Sequence, residues 1–231
     1  MKRIFLIIAA AFALLAGHSL VLAGNPARQE GSARLSFDVE WGYDATLINI
    51  YHYNYMETTD GFRIDEKAAR PMYYSNGHAS AGITLEFARR WALGLHAGYA
   101  GIQQRTRCFP LSLRATYFMD SFFEDGAFAF IEGGAGIQEA RRNFPAFGRI
   151  GYGYRMILDK NCSLDISGSL RAVYDHPMIY DVSIPGYIPQ ENIRRSDALY
   201  GAACISIAIN FGKLAIVVRK GIRRYAQLNI I

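Results

Sequence analysis

His78, Ser80 and Glu86 are of the types a hydrolase uses: a base, a nucleophile and an orienting acid. Their even spacing puts all three on one face of an extended segment. From Ser80 to Glu86, however, a strand covers about 20 Å, too far for a hydrogen-bonded relay. The apolar residues Ile83, Leu85 and Phe87 fix the other parity, so the His78 face points inward. No catalytic residue is expected, and the chain does not read as an enzyme. Metal chemistry has no better basis. His52, His96 and His176 lie on separate segments, where each suits packing or a loop better than ligation. Cys108, Cys162 and Cys204 lack metal-site spacing, and Cys108 and Cys162 fall at opposite strand ends. They read as three free, small apolar residues, with no metal or cofactor.

The charged residues have a different use. Asp38, Glu40, Glu86, His96, Arg114, Glu132, Arg149, Arg155, Asp165 and Arg171 all fall on the polar side of alternating segments. Both signs are present, so the expected outcome is an internal network in which buried charges satisfy one another. The sharper alternative is a narrow ion or solute path. An eight-stranded barrel is just wide enough for side chains to fill it, which favours the network.

The segments that position these residues follow a period of two. In Leu35-Ser36-Phe37-Asp38-Val39-Glu40-Trp41-Gly42-Tyr43, large apolar residues take every odd position and small or charged ones every even position. This is a strand with one oily and one polar face. The same alternation predicts strands over 33–43, 74–88, 91–103, 109–119, 127–140, 146–158, 162–175 and 196–211. The fold class expected is all-β, an eight-stranded antiparallel transmembrane barrel. Gly133, Gly134 and Gly136 suit a strand that bends or packs tightly inside such a barrel. Long connections are expected at 44–73, which is rich in Tyr, and at 176–195, with short turns on the opposite side.

Residues 1–23 predict a signal peptide: Lys2 and Arg3, an apolar run from Ile4 to Leu15, and Val21-Leu22-Ala23 before a cleavage point at Gly24. No Cys stands at the mature start, so no lipoprotein anchor is indicated. No later window holds ~18 consecutive apolar residues. The chain is nonetheless 51% hydrophobic and 13% aromatic, with 22 glycines. The net charge of +5 is partly local: Lys2 and Arg3 leave with the signal, and Lys213, Arg219, Lys220, Arg223 and Arg224 lie in a basic tail over 212–231. That tail could be a periplasmic extension, an extra strand or a surface helix. Export and the lack of a basic stripe argue against nucleic acid as a partner. Trp41, Tyr43, Trp91, Tyr99, Tyr117, Tyr152, Tyr154 and Tyr174 suit aromatic girdles at a lipid–water interface.

With the signal, the strand pattern and the terminal Ser206-Ile207-Ala208-Ile209-Asn210-Phe211, the chain resembles the small OmpA-like outer-membrane β-barrels of Gram-negative bacteria. Glu40-Trp41-Gly42-Tyr43 followed by a Tyr/His-rich segment is similar to barrels of the Bacteroides group. The resemblance covers about 33–211 and is architectural. It implies an outer-membrane location and, as partners, outer-membrane lipid or lipopolysaccharide and the barrel-assembly machinery. That machinery reads a terminal aromatic residue, here Phe211, although this chain continues beyond it. Some barrels of this kind deacylate lipid A with a His-x-Ser-Asn motif. Here Tyr74-Ser75-Asn76 carries Tyr where the family's His-x would stand. The expected role is structural or surface-binding, with 44–73 and 176–195 offered to an extracellular protein or glycan. The alternatives are a narrow channel, a lipid A-modifying enzyme and a soluble periplasmic barrel that binds a lipophile.

Overall fold

A computed structural model describes residues 33–216 apart from 59–60, 88, 104–105, 139–143, 160 and 182–185. The expected signal peptide and the tail beyond 216 lie outside the described residues. Eight strands close into a barrel: β1 (Ala33–Met56), β2 (Arg63–Phe87), β3 (Trp91–Gln103), β4 (Thr106–Phe118), β5 (Gly126–Ile137), β6 (Ala146–Asp159), β7 (Cys162–Asp175) and β10 (Ile193–Ile216). Each pairs antiparallel with its chain neighbour, and β1 closes the ring against β10. Closure leaves no open sheet edge along the barrel wall. Between β7 and β10, β8 (Tyr180–Asp181) pairs with β9 (Gly186–Tyr187), and a 3-10 turn follows at Gln190–Asn192.

Alternation decides which way every side chain faces. On β1, Ser36, Asp38, Glu40 and Asp44 are buried, while Phe37, Val39, Trp41 and Tyr43 are exposed. The outward set continues round the barrel with Ile83, Leu95, Leu111, Ile131, Ile150, Tyr152, Ile166, Leu170 and Ile205. The Trp91 and Tyr117 rings pack at 4.9 Å between centroids, tilted by 58°, where β3 begins and β4 ends. Trp41 stands in mid-strand between Ala79 and Ile207, amid the aliphatic band rather than at a strand end.

The expected loop over 44–73 is a correction. Most of it is strand: β1 runs 24 residues and β2 25, and the turn between them occupies only 57–62. Ile48–Tyr55 pairs with Ile64–Pro71 on one side and with Ile193–Gly201 on the other. These upper parts of β2, β1 and β10 form a three-stranded blade that outreaches the shorter strands. The described part of the 176–195 segment holds β8, β9 and the 3-10 turn, and β10 begins at Ile193 and continues past Phe211 to Ile216. The start of the expected tail is therefore strand. Further, β4 begins at Thr106 rather than 109, and β5 ends at Ile137 rather than 140.

Both described chain ends, Ala33 and Ile216, lie at one end of the barrel, here called the terminal end. It is closed by the β4–β5 turn. Phe122 is 1% exposed and packs with Phe118, Phe128 and Phe130 against Ala92. The Phe118 amide donates to the Arg90 carbonyl at 2.7 Å and the Phe122 amide to the Arg89 carbonyl at 3.1 Å, which ties this turn to the neighbouring hairpin. Arg34 lies 4.0 Å over the Phe123 ring.

Candidate functional site in the barrel interior

Inward-facing residues of successive strands meet in three layers. In the lowest, Arg155 makes a fork to Asp165, with Nε and Nη2 each at 2.7 Å, and reaches Glu86 at 2.9 Å through Nη1. Asp38 accepts from Thr84 Oγ1 at 2.8 Å and lies 2.9 Å from His96 Nε2. In the middle layer Glu40 receives Arg149 at 2.7 Å and Arg114 at 2.5 Å. Arg114 also holds Glu132 at 2.8 Å, and Ser112 donates to Glu132 at 2.7 Å. The remaining guanidinium nitrogens of Arg149 donate to Ser169 at 2.7 Å and Ser206 at 2.9 Å. The Phe130 ring lies within 5.0 Å of both Arg114 and Arg149. In the upper layer Asp44 pairs with Arg171.

The structure thus draws Asp38, Glu40, Glu86, Arg114, Glu132, Arg149, Arg155, Asp165 and Arg171 into the interior. Glu86 and Asp165 belong to Arg155, Glu40 and Glu132 to Arg114 and Arg149, and Arg171 to a residue outside that set. Two members were missed by sequence reasoning. Asp44 fell inside the supposed loop. His78 was weighed only as a base, yet its Nδ1 lies 2.9 Å from Asp44 and its Nε2 3.3 Å from Glu40, so it joins the upper and middle layers. The signal was available: Asp44 continues the even parity of Ser36, Asp38 and Glu40.

Glycines make the space. A Cβ on Gly42 would lie 2.4 Å from the His78 ring and 2.6 Å from the Ile205 carbonyl. The carbonyl is backbone and cannot swing away. Gly42→Ala is therefore expected to displace His78 and to destabilise the barrel by about 1–3 kcal/mol, measured as a lower denaturant midpoint in lipid vesicles. An unchanged midpoint would mean that His78 is loosely held.

Little space remains. A cavity beside Asp38, His96 and Arg155 measures about 30 Å³, and one beside His78 and Arg149 about 20 Å³. A water needs roughly 10–15 Å³ on this measure, so each has room for one or two waters. At the loop end there is a further small cup. Its walls are Ala100, Cys108, Pro110, Pro145, Phe147, Val173, Tyr200 and Ala202, and its floor is Asp44 and Arg171. On the same measure it is about 30 Å³, the size of the cavity beside Asp38. Cys108, Cys162 and Cys204 are free thiols, and Cys108 and Cys204 are buried.

Above the cup stands the blade. Tyr51 donates to Glu66 at 2.6 Å, Arg70 holds Glu66 at 2.8 Å, and Tyr51 and Tyr53 stack at 4.5 Å. His52 lies 2.7 Å from Asp65, and His176 3.0 Å from Asp197, which also accepts from Tyr174 at 2.9 Å and pairs with Arg195. The hydrogen bond from His52 holds the Asp65 carboxyl below its usual range. For Asp197, partial burial acts upward, but Arg195 and Tyr174 outweigh it and the net shift is down. Depressed carboxyls stabilise above the unfolded value of about 3.9 and lose that contribution as pH falls through the folded value. The blade is therefore expected to hold from neutral pH to about pH 4 and loosen below it, followed by amide exchange in β1 and β2. Loosening already at pH 6 would show that these two carboxylates do not control it.

No family model matches the sequence, and no curated protein matches it. Solved structures to which the chain is similar include the outer membrane protein OprG from Pseudomonas aeruginosa, at 10% identity over 78% of this chain and 96% of that one, with a TM-score of 0.42. The outer membrane protease OmpT from Escherichia coli is similar at 8% identity over 82% and 99%, with a TM-score of 0.37. Ail, the attachment invasion locus protein of Yersinia pestis, is similar at 10% identity over 77% and 99%, with a TM-score of 0.33.

Proposed function

We propose that this chain is an outer-membrane barrel whose interior is closed to ion flow and whose work is done at its loop end. The observation that carries the reading is the combination of an apolar exterior with a filled, charge-paired interior. Exposed Phe37, Val39, Ile131, Ile150, Leu170, Ile205 and Ile207 would form a costly continuous patch in water, whereas lipid accepts them. The short turns at the terminal end suit the periplasm, and the blade and the β7–β10 connection suit the outside. Paired arginines and the Phe122 cluster support a plugged lumen over a channel. His78, engaged by Asp44 and Glu40 inside the wall, supports a binding or structural role over lipid A chemistry. The resemblance to OmpA-like barrels of Bacteroides-type bacteria, the assembly machinery and lipopolysaccharide as partners, and an extracellular protein or glycan ligand all belong to this reading.

The test uses intact cells and planar bilayers. Thr58→Cys, in the exposed blade turn, is expected to react with a membrane-impermeant maleimide on intact cells. Glu124→Cys, in the opposite turn, is expected to react only after permeabilisation. The purified protein is expected to show a heat-dependent gel shift and no discrete conductance. Steady conductance steps in the unaltered protein would overturn the closed-lumen reading. Release without detergent would overturn the membrane reading.

A further inference from the structure

We propose that the free edge of β2 above the barrel, Arg63–Arg70, takes an extended acidic segment of a partner protein as an added strand. β2 pairs with β1 from Arg63 to Glu86, but its pairing with β3 begins only at His78. Among the described residues no strand lies on the other side of Arg63–Gly77, and none of those residues is buried. A strand edge presents N–H and C=O groups without ladder partners, which is the template for strand addition. Pro71 has no N–H and bounds the usable run. That leaves Arg63–Arg70, about 25 Å of strand. The opposite edge of the blade, on β10, is open over Ile193–Asp197, a shorter run.

The side chains define the occupant. Both acids of the run are turned back to β1: Asp65 lies 2.7 Å from His52, and Glu66 accepts from Tyr51 at 2.6 Å. The cations are less committed. Arg63 donates to the neutral Asn54 amide oxygen at 3.0 Å, Lys67 is exposed, and Arg70, which reaches Glu66, is 66% exposed. Even spacing puts Arg63 and Lys67 on one face of the sheet, four residues apart. An added strand with acids at that same spacing meets a cation at each, while its backbone completes the ladder. A second copy is disfavoured. In the same membrane its β2 runs parallel to this one and brings like charges together, and its oppositely directed β1 is enclosed between β2 and β10. Its β10 edge carries Arg194 and Arg195. That the partner meets the edge outside the cell rests on the orientation proposed above, whereas the pairing itself does not.

The test reads the edge amide by amide. The whole barrel in lipid nanodiscs is titrated with the peptide Thr-Glu-Thr-Val-Thr-Glu-Thr-Val, blocked at both ends, and followed by amide hydrogen exchange. Alternate amides between Ile64 and Arg70, those that point away from β1, are expected to gain protection saturably. N-methylation of either the Thr set or the Glu/Val set blocks one edge of the peptide and leaves the other. One methylated peptide is expected to lose affinity by about tenfold or more and the other to keep it. Lys67→Gln, an exposed change that leaves the heat-dependent gel shift in place, is expected to weaken binding about two- to fivefold. No protection at Ile64–Arg70 overturns the proposal and leaves the closed barrel, which conductance reads, untouched. Two methylated peptides that bind alike overturn the added strand and leave charge attraction alone. The same amides protected before any peptide is added, in a dimeric barrel, put a second copy on the edge and overturn the acidic segment. Protection that persists when Thr58→Cys reacts only after permeabilisation keeps the edge and overturns its outward placement alone.

Discussion

Arg149→Met is expected to lower the unfolding free energy of the barrel by about 3–5 kcal/mol. The Arg149 side chain is 1% exposed and touches Glu40, Glu132, Ser169 and Ser206. Met matches much of its length but supplies no donor. Glu40 then keeps Arg114 and His78, and Glu132 keeps Arg114 and Ser112. Two carboxylates thus share one guanidinium in a dry interior, and the penalty is that of charge left without its partner. The control is Arg195→Met. Arg195 is 54% exposed and pairs with Asp197 on the blade, where solvent screens the interaction. Its loss is expected to cost less than about 1 kcal/mol. Both are measured by reversible denaturant unfolding in vesicles, with the fluorescence of lipid-facing Trp41 and Trp91 as the signal. A second substitution sharpens the point. Glu40→Met in the Arg149→Met background removes one of the two carboxylates that then share Arg114, and is expected to restore part of the loss. If Arg149→Met costs no more than Arg195→Met, the interior is wet enough to screen its charges, and the closed-lumen reading falls with it.

How much of this was readable beforehand depends on whether alternation ran unbroken. From Leu35 to Thr46 it did, and it fixed both the strand and the inward placing of Asp38 and Glu40. At Leu47 the ladder slips: Thr46 pairs with Tyr74 but Ile48 pairs with Pro71. The inward parity changes from even to odd across that bulge, as bulges do. Tyr51-His52-Tyr53-Asn54-Tyr55 then alternates in the opposite phase, and a reading that demands one phase takes it for a loop. Pro71 reinforces the error, because proline argues against a central strand. It is tolerated because β2 near Pro71 pairs with β1 alone, while its pairing with β3 begins only at His78. Asp44 and Arg171 show the same limit from another side. Both have legible parity, but Asp44 was set aside with the supposed loop, and a pair from opposite halves of the chain needs barrel closure to meet. The wall of the cup was not legible, because it depends on which strands end at the same height.

Removing the aromatic plug is expected to separate stability from conduction. Phe122→Ala deletes a side chain that is 1% exposed and stands against Phe118 at 6.3 Å between centroids and Phe123 at 4.2 Å. A buried Phe cut to Ala in a packed cluster costs about 3–5 kcal/mol. Because Phe122 lies in a turn, the site can collapse more readily than a strand position, so the lower half of that range is expected. The β4–β5 turn should then become sensitive to protease added on its own side of the membrane while the barrel still shows its heat-dependent gel shift. Conductance should not appear. The aromatic cluster and the Arg114–Glu40–Arg149 layer stand in series along the barrel axis, and the larger resistance governs the current. Opening one barrier leaves the other. A barrel that combines Phe122→Ala with Arg149→Ser and Glu40→Ser, which shorten the middle layer and keep its charge change balanced, still holds the Arg155–Glu86–Asp165 and Asp44–Arg171 layers in series and is likewise expected to stay silent. Current through Phe122→Ala alone would locate the seal in the aromatic cluster and make the charged layers a wet lining rather than a barrier. Current through the combined variant, with its gel shift intact, would place the seal in the aromatic cluster and the middle layer together and overturn the role of the other two layers.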